Sequence, residues 1–258
     1  LNSDTHGLAI PSVHGNRFVS RRAVKISGFS RKKVVAQPDV NPVTSESVGK
    51  GSAQNGPVVI LHLTDLHFGW EGGQNQQTLQ AQRTNCLNAL HEALQKLIAD
   101  PGNENWKPDI VAITGDLGWK DAPADYSALE KWLSPVLKTL NLKYSDVVVC
   151  PGNHDIDLES AEVIGTPQNQ IDADKRLKCP VPKSYADTFS AYSDFCKTAK
   201  IPAYTLGNES SHLVGTLELK NIRFVALNSA WYCRGEKDLA QLWVGRNHLQ
   251  QLQAENLL

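Results

Sequence analysis

The 258-residue chain contains no methionine, and its first residue is Leu1. That absence raises the expectation of an incomplete protein. Cysteine is sparse: Cys86, Cys150, Cys179, Cys196 and Cys233 are odd in number and form no C-x-x-C pair. Neither a disulfide framework nor a zinc ribbon is therefore expected, and a reducing cytoplasm is the simplest home. No apolar run approaches the roughly 18 residues a membrane-spanning helix needs, and no short apolar block with a cleavage site opens the chain. No membrane association is expected. Charge of one sign is also missing: 26 Lys and Arg face 27 Asp and Glu, for a net charge of -1. This excludes a generally basic coat for nucleic acid and an acidic solvating tail. The P-loop string G-x-x-x-x-G-K-S/T and the G-x-S-x-G elbow are both absent, which argues against P-loop nucleotide binding and serine-hydrolase chemistry.

What is present supports a packed core, since 41% of the side chains are hydrophobic in a chain long enough for one or two domains. Residues 1–56 show no sustained period of 2 or 3.6 and read as a disordered basic tail. Up to Lys50 they carry eight Lys or Arg against three Asp or Glu. Arg21, Arg22, Arg31, Lys32 and Lys33 sit among Ser, Gly and Pro, the setting of a solvated run, and the tail is assigned no function.

Order is expected from Pro57 to Leu258. VVILHL (58–63) reads as a strand buried on both faces. Leu87, Leu90, Leu94, Leu97 and Ile98 recur at helical steps until Pro101-Gly102, marking a helix from near Thr78. DIVAIT (109–114) is a second strand, Tyr126 to Leu140 a second helical face, and DVVVC (146–150) a third strand. Alternating strands and helices predict an α/β fold with a mostly parallel sheet, because parallel neighbours need crossovers that place helices on the faces. Residues 156–200 read as an insertion in which only Ser184 to Ala199 looks helical. HLVGTLEL (212–219) and IRFVALN (222–228), joined by Lys220-Asn221, predict a hairpin in a second sheet layer. A helix from about Gly245 follows.

The polar residues fall where each strand stops. Asp65 and His67 follow the first strand, Asp116 the second, and Asn153, His154 and Asp155 the third. Loops at the carboxyl ends of parallel strands share one crevice, so these residues become neighbours despite their sequence distance. Asp65 and His67, one residue apart, share a side if the segment is extended, with Leu66 facing the core. Gly115 and Gly152 allow close backbone approach. Carboxylate, imidazole and amide donors suit Mn, Fe or Zn better than a thiolate-loving metal, and Cys150 reads as buried strand. Each residue alone is better explained by an N-cap or a structural histidine. Their coincidence at three strand ends points to a metal site.

TDLHFG, TGDLG and PGNHD resemble the first three motifs of the calcineurin-like metallophosphoesterases: D-x-H, G-D and G-N-H-D/E. The resemblance covers about 57–258 and implies that family's layered α-β-β-α fold. It implies that Asp65 and His67 hold a first metal ion, Asp116 bridges two ions and Asn153 holds the second. His154 would contact the substrate phosphate and assist the leaving group, with Asp155 supporting the site from behind. Two divalent or trivalent ions (Mn, Fe or Zn) would activate water for attack on a phosphodiester or phosphomonoester.

The chain departs from that pattern in two places. The family's last motifs, a lone His after a later strand and G-H-x-H, are not found before Leu258. His212 and His248, the only histidines after His154, read as structural or exposed, and the expectation is a fragment with an unfinished sheet and site. GDLGWKD also lacks the G-D-x-x-D-R-G extension of Ser/Thr protein phosphatases, which disfavours that activity. His62 and His91 read as structural. Trp70, Trp119, Trp231 and Tyr232 are candidates either to line a pocket or to pack under the insertion. The expected partner is a phosphate-ester small molecule or nucleotide; nucleic acid is less favoured, since residues 57–258 are acidic in balance. The competing reading is a catalytically inactive module that binds a phosphorylated ligand within a larger protein.

Overall fold

Three short runs rich in Val and Ile pair in parallel to make the sheet that carries the polar loops. The computed structural model describes residues 57–70, 76–234 and 242–256; the tail expected over 1–56 lies outside them. Strands β1 (Ile60–Leu63), β2 (Ile110–Thr114) and β3 (Val147–Cys150) lie in the order β1-β2-β3. Leu61 pairs with Val111, and Val111 with Val147. Being central, β2 is buried on both faces, as its unbroken apolar run predicts.

Side-chain alternation along the strands sorts the core into two layers. Val111, Ile113, Val147 and Val149 face helix α2 (Pro123–Leu140), whose Tyr126, Leu129, Leu133, Val136, Leu137 and Leu140 are buried as their spacing predicts. At about 1.5–3 kcal/mol for each large apolar side chain taken from water, this face is a major part of what holds the sheet. Helix α1 (Gln76–Ala99) adds Leu87, Leu90, Leu94 and Ile98. Ile110 and Val148 point the other way, onto Tyr204 and Ala226 of a second sheet. Tyr204 donates its hydroxyl hydrogen to the Val149 carbonyl across the gap.

That second sheet is antiparallel, in the order β5-β4-β6-β7, with β4 Tyr204–Leu206, β5 Glu209–Ser211, β6 Gly215–Leu219 and β7 Ile222–Ala226. The predicted hairpin is β6–β7: Leu219 pairs with Ile222, and Lys220 and Asn221 both take positive φ (52° and 63°), as a two-residue primed turn requires. β4 and β5, three residues each, are too short to show a period and were not expected.

The segment after Asp155 is more helical than its composition suggests. It contains α3 (Leu158–Ile164), α4 (Gln170–Arg176), α5 (Lys183–Asp187) and α6 (Ser190–Ala199). The first two are only seven residues long and rely on caps: Asp157 accepts from Glu159 N and Ser160 N, and Asn169 from Asp172 N. Nor is the segment a loose flap. Ala173, Leu177, Tyr185, Phe189 and Tyr192 join the main core. The Tyr232 hydroxyl donates to Ala173 O at 2.7 Å, and Asn247 of α7 (Arg246–Ala254) donates to Asp174 O and Leu177 O at 2.7 and 2.8 Å. Trp231 and Tyr232 therefore pack under the insertion. Among the described residues no helix is long and apolar enough to cross a membrane.

Candidate metal centre

Hydrogen bonds lace the three loops at the carboxyl ends of β1, β2 and β3 together. From the first loop, Asp65 N donates to Gly115 O (3.2 Å), His67 N to Asp116 O (2.8 Å) and Phe68 N to Leu117 O (2.9 Å). From the second, Gly115 N donates to Cys150 O (2.8 Å). From the third, His154 N donates to Asp116 Oδ1 at 2.9 Å. Asp116 sits in the middle of this lacing, accepting from both neighbouring loops.

The backbone is bent there. Asp65, His67 and Asp116 take φ of 57°, 46° and 52°, a left-handed region that L-residues with a Cβ rarely occupy. The extended geometry expected for residues 65–67 is thus not what forms. Leu66 faces the core as expected, but the two polar side chains are aimed by left-handed turns. Such strain persists only where the surroundings over-determine it and gathers at functional sites. Gly152 completes the cradle: a Cβ there would lie 2.2 Å from Asp116 Oδ1 and 2.4 Å from Asp116 N.

These bends bring one ligand atom from each of His67, Asp116 and His154 within 4.8 Å of one another. His67 Nε2 lies 3.7 Å from Asp116 Oδ2. Burial pushes the Asp116 carboxyl above its ordinary pKa, and the Asp65 charge pushes it further. The N–H groups of His154 and Asn153 and the nearby His154 ring oppose the rise. A cation would offset that cost of burying negative charge. The Asp116 carboxylate beside the His67 imidazole is a donor pair suited to Zn, Mn or Fe, with the His154 ring at its edge. By donor chemistry and by the glycine cradle, the residues fit a metal ion.

A family model described as Calcineurin-like phosphoesterase matches residues 58–239. The chain belongs to this family. No curated protein matched it. The match spans β1 to β7 and all three polar loops, and the mixed parallel and antiparallel sheets agree with the family's α/β fold.

Within this phosphoesterase framework the remaining residues take distinct places. Asp65 is exposed, accepts from the Thr64 hydroxyl at 2.7 Å and lies near enough to Asp116 to influence its charge. Asn153 is half-buried and contributes its backbone N–H toward Asp116. The His154 ring, expected on the substrate side, lies 4.8 Å from the His67 ring, centroid to centroid. Asp155 is 0% exposed and acts as a strut: Oδ2 accepts from Leu117 N (3.0 Å) and Gly152 N (2.8 Å), and Oδ1 from Gly118 N (2.6 Å) and the Tyr126 hydroxyl (3.1 Å). Burial lifts its carboxyl to about 7 despite these donors.

The other histidines among the described residues stay structural. His212 is buried with Nε2 at 2.9 Å from Ile201 O, just before β6 rather than in it, and His248 is buried at 3.2 Å from Lys178 O. Burial lowers the pKa of both. His62 and His91 pair with Thr114 and Thr139 hydroxyls. The Cys150 thiol is pushed up to about 11 by burial, which makes it a poor thiolate ligand.

Sequence reasoning missed three supports. Arg83 of α1 donates to Leu66 O and lies over the Phe68 ring at 4.9 Å, bracing the first loop. Asp125 at the start of α2 accepts from Trp119 N (3.0 Å) and Lys120 N (3.1 Å). Asp121 accepts from Ala191 N (3.1 Å) and Tyr192 N (2.7 Å), tying the second loop to α6, and shares the single Tyr126 hydroxyl hydrogen (3.0 Å) with Asp155. The only available signal was the Asp-x-Pro-x-Asp spacing around Pro123, which marks a helix start.

Proposed function

We propose that the protein is a metal-dependent phosphoesterase that hydrolyses a phosphodiester or phosphomonoester. The observation that carries this reading is the gathering of His67, Asp116 and His154 from three separate strand ends in a chain of the phosphoesterase family. Asp65 and His67 would hold one ion and Asn153 a second, with Asp116, which accepts from both neighbouring loops, shared between them. When bound, a pair of Mn, Fe or Zn ions would supply Lewis acidity for a phosphoryl oxygen and activate water for attack.

The chain's own residues do the rest. Asp116 supplies a carboxylate held by the His154 N–H on a backbone bonded to the first loop, so the donor is pre-organised. His154 is the proton donor to the departing oxygen, a role an imidazole N–H fills when it stands within hydrogen-bond reach of the leaving group. Asp155 holds the second and third loops at fixed separation and touches no substrate. The substrate class is a phosphate-ester small molecule or nucleotide. Residues 57–258 carry 18 Lys and Arg against 24 Asp and Glu, a balance poorly suited to tracking a nucleic-acid backbone.

The test is hydrolysis of a chromogenic phosphodiester and of a chromogenic phosphomonoester by purified protein with added Mn, Zn or Fe, repeated after chelation. Metal-dependent release of the chromophore is expected. Binding of a phosphate ester without turnover at any metal concentration would favour the inactive module instead.

A further inference from the structure

The residue that contacts both imidazoles of the site is an indole outside the three ligand strings. Trp119 stacks on His154 with ring centroids 4.0 Å apart and planes 11° from parallel, and meets His67 edge-on at 5.3 Å and 72°. Trp70 meets Trp119 in turn at 6.1 Å and 67°. The backbone beneath the indole is held: Trp119 N donates to Asp125 Oδ2 at 3.0 Å, and Gly118 N to Asp155 Oδ1 at 2.6 Å. Gly69 closes the rear, where a Cβ would lie 1.7 Å from Asp125 Oδ1.

We propose that Trp119 is the positioning residue for His154. The terminal torsion of a histidine is broad, and His154 sits in a turn that leaves its ring plane undetermined. A parallel aromatic partner at stacking distance selects one plane, and proton transfer to a leaving oxygen needs the donor nitrogen within hydrogen-bond reach. Asp125 supplies the rigidity, because the indole can orient the imidazole only if its own backbone does not move. This inference rests on the reading that His154 donates the proton. It gives Trp119 a role that neither expectation named, pocket lining or packing under the insertion: a brace for a side chain.

The experiment compares Trp119→Leu and Trp119→Phe with the wild type in the chromogenic assay, and follows the His154 ring protons by NMR in the metal-free protein, assigned with His154→Gln. Trp119→Leu is expected to lower kcat about tenfold with KM within about twofold, and Trp119→Phe to restore most of the loss. The His154 ring protons in the wild type should be shifted upfield by the indole ring current, and Trp119→Leu should remove that shift. Unchanged kcat in Trp119→Leu, an equal loss in both variants, a loss carried by KM, or His154 signals without a ring-current shift would each overturn the proposal. Should Trp119→Leu fail to fold, the wild-type ring-current shift and the Trp119→Phe kinetics decide. An inactive wild type would overturn the proposed function, while the NMR result would still decide whether the stack exists.

Discussion

The backbone N–H of His154 donates to Asp116 Oδ1 at 2.9 Å, across 38 residues of sequence. This bond makes the second and third loops a single unit: the carboxylate proposed as a metal ligand also fixes where the following histidine starts. Replacing either side chain therefore perturbs the same place in different ways.

Asp116→Asn is expected to reduce metal content at both positions, because an amide offers one neutral oxygen where two charged ones stood. His154→Ala is expected to keep its metal and lose about 10²–10⁴ in turnover. Metal analysis of the purified variants alongside kinetics separates the two. Equal metal loss in both would move His154 from proton donor to ligand.

Gly152→Ala is expected to destabilise the protein by about 1–3 kcal/mol and to weaken metal binding. The added Cβ would meet Asp116 Oδ1 at 2.2 Å and Asp116 N at 2.4 Å, and backbone cannot yield as a flexible side chain can. Thermal unfolding with and without metal checks both effects, and a variant with wild-type values in each would show that the cradle is not tight.

Asp155→Asn keeps the shape of the strut but replaces one acceptor oxygen with a donor. Both oxygens now accept from backbone N–H groups, so one of these donors would face an NH2 group. A loss of about 3 kcal/mol is expected, read as a lower denaturation midpoint, with poorer metal retention. Loss of turnover at unchanged stability and metal content would instead place Asp155 in contact with substrate.

Stability should fall as pH rises from about 4 to about 7. Burial lifts Asp121 from 3.8 to about 7 against the pull of Ala191 N, Tyr192 N and Tyr126 OH, and the Asp155 charge lifts it further. The folded state then holds a proton that the unfolded chain has released. The stability this confers is complete below the unfolded pKa, is lost through the folded one and is constant above it. With about three pH units between the two values and 1.36 kcal/mol for each, the span is about 4 kcal/mol. Chemical denaturation of the metal-free protein across this range should show the decline, and Asp121→Asn should make it shallower, leaving the slope due to Asp155 and Asp116. An Asp121→Asn profile parallel to the wild type would contradict the assignment.

Most of the framework was legible because its signals are local. The apolar runs ending in Asp65, Asp116 and Asn153 marked β1, β2 and β3, and the spacing of Tyr126 to Leu140 marked the buried face of α2. Lys220-Asn221 marked the β6–β7 turn. What escaped was short or cap-driven: β4, β5, α3 and α4 are too brief for a period to declare itself, and their stability comes from Tyr204, Ala173 and Leu177 entering cores that other segments build.

Chain order alone settled which residue types stand at each strand end, since a strand's apolar run and the polar residue after it are neighbours in sequence. How those residues meet was decided by the tertiary structure. The left-handed turns at Asp65, His67 and Asp116, the acceptance of Leu117 and Gly118 N–H groups by Asp155, and the stacking of Trp119 on His154 depend on contacts between loops 30 to 90 residues apart. Such bonds exist only once packing has brought the strand ends together, because each costs more in backbone strain and lost freedom than its own segment can recover.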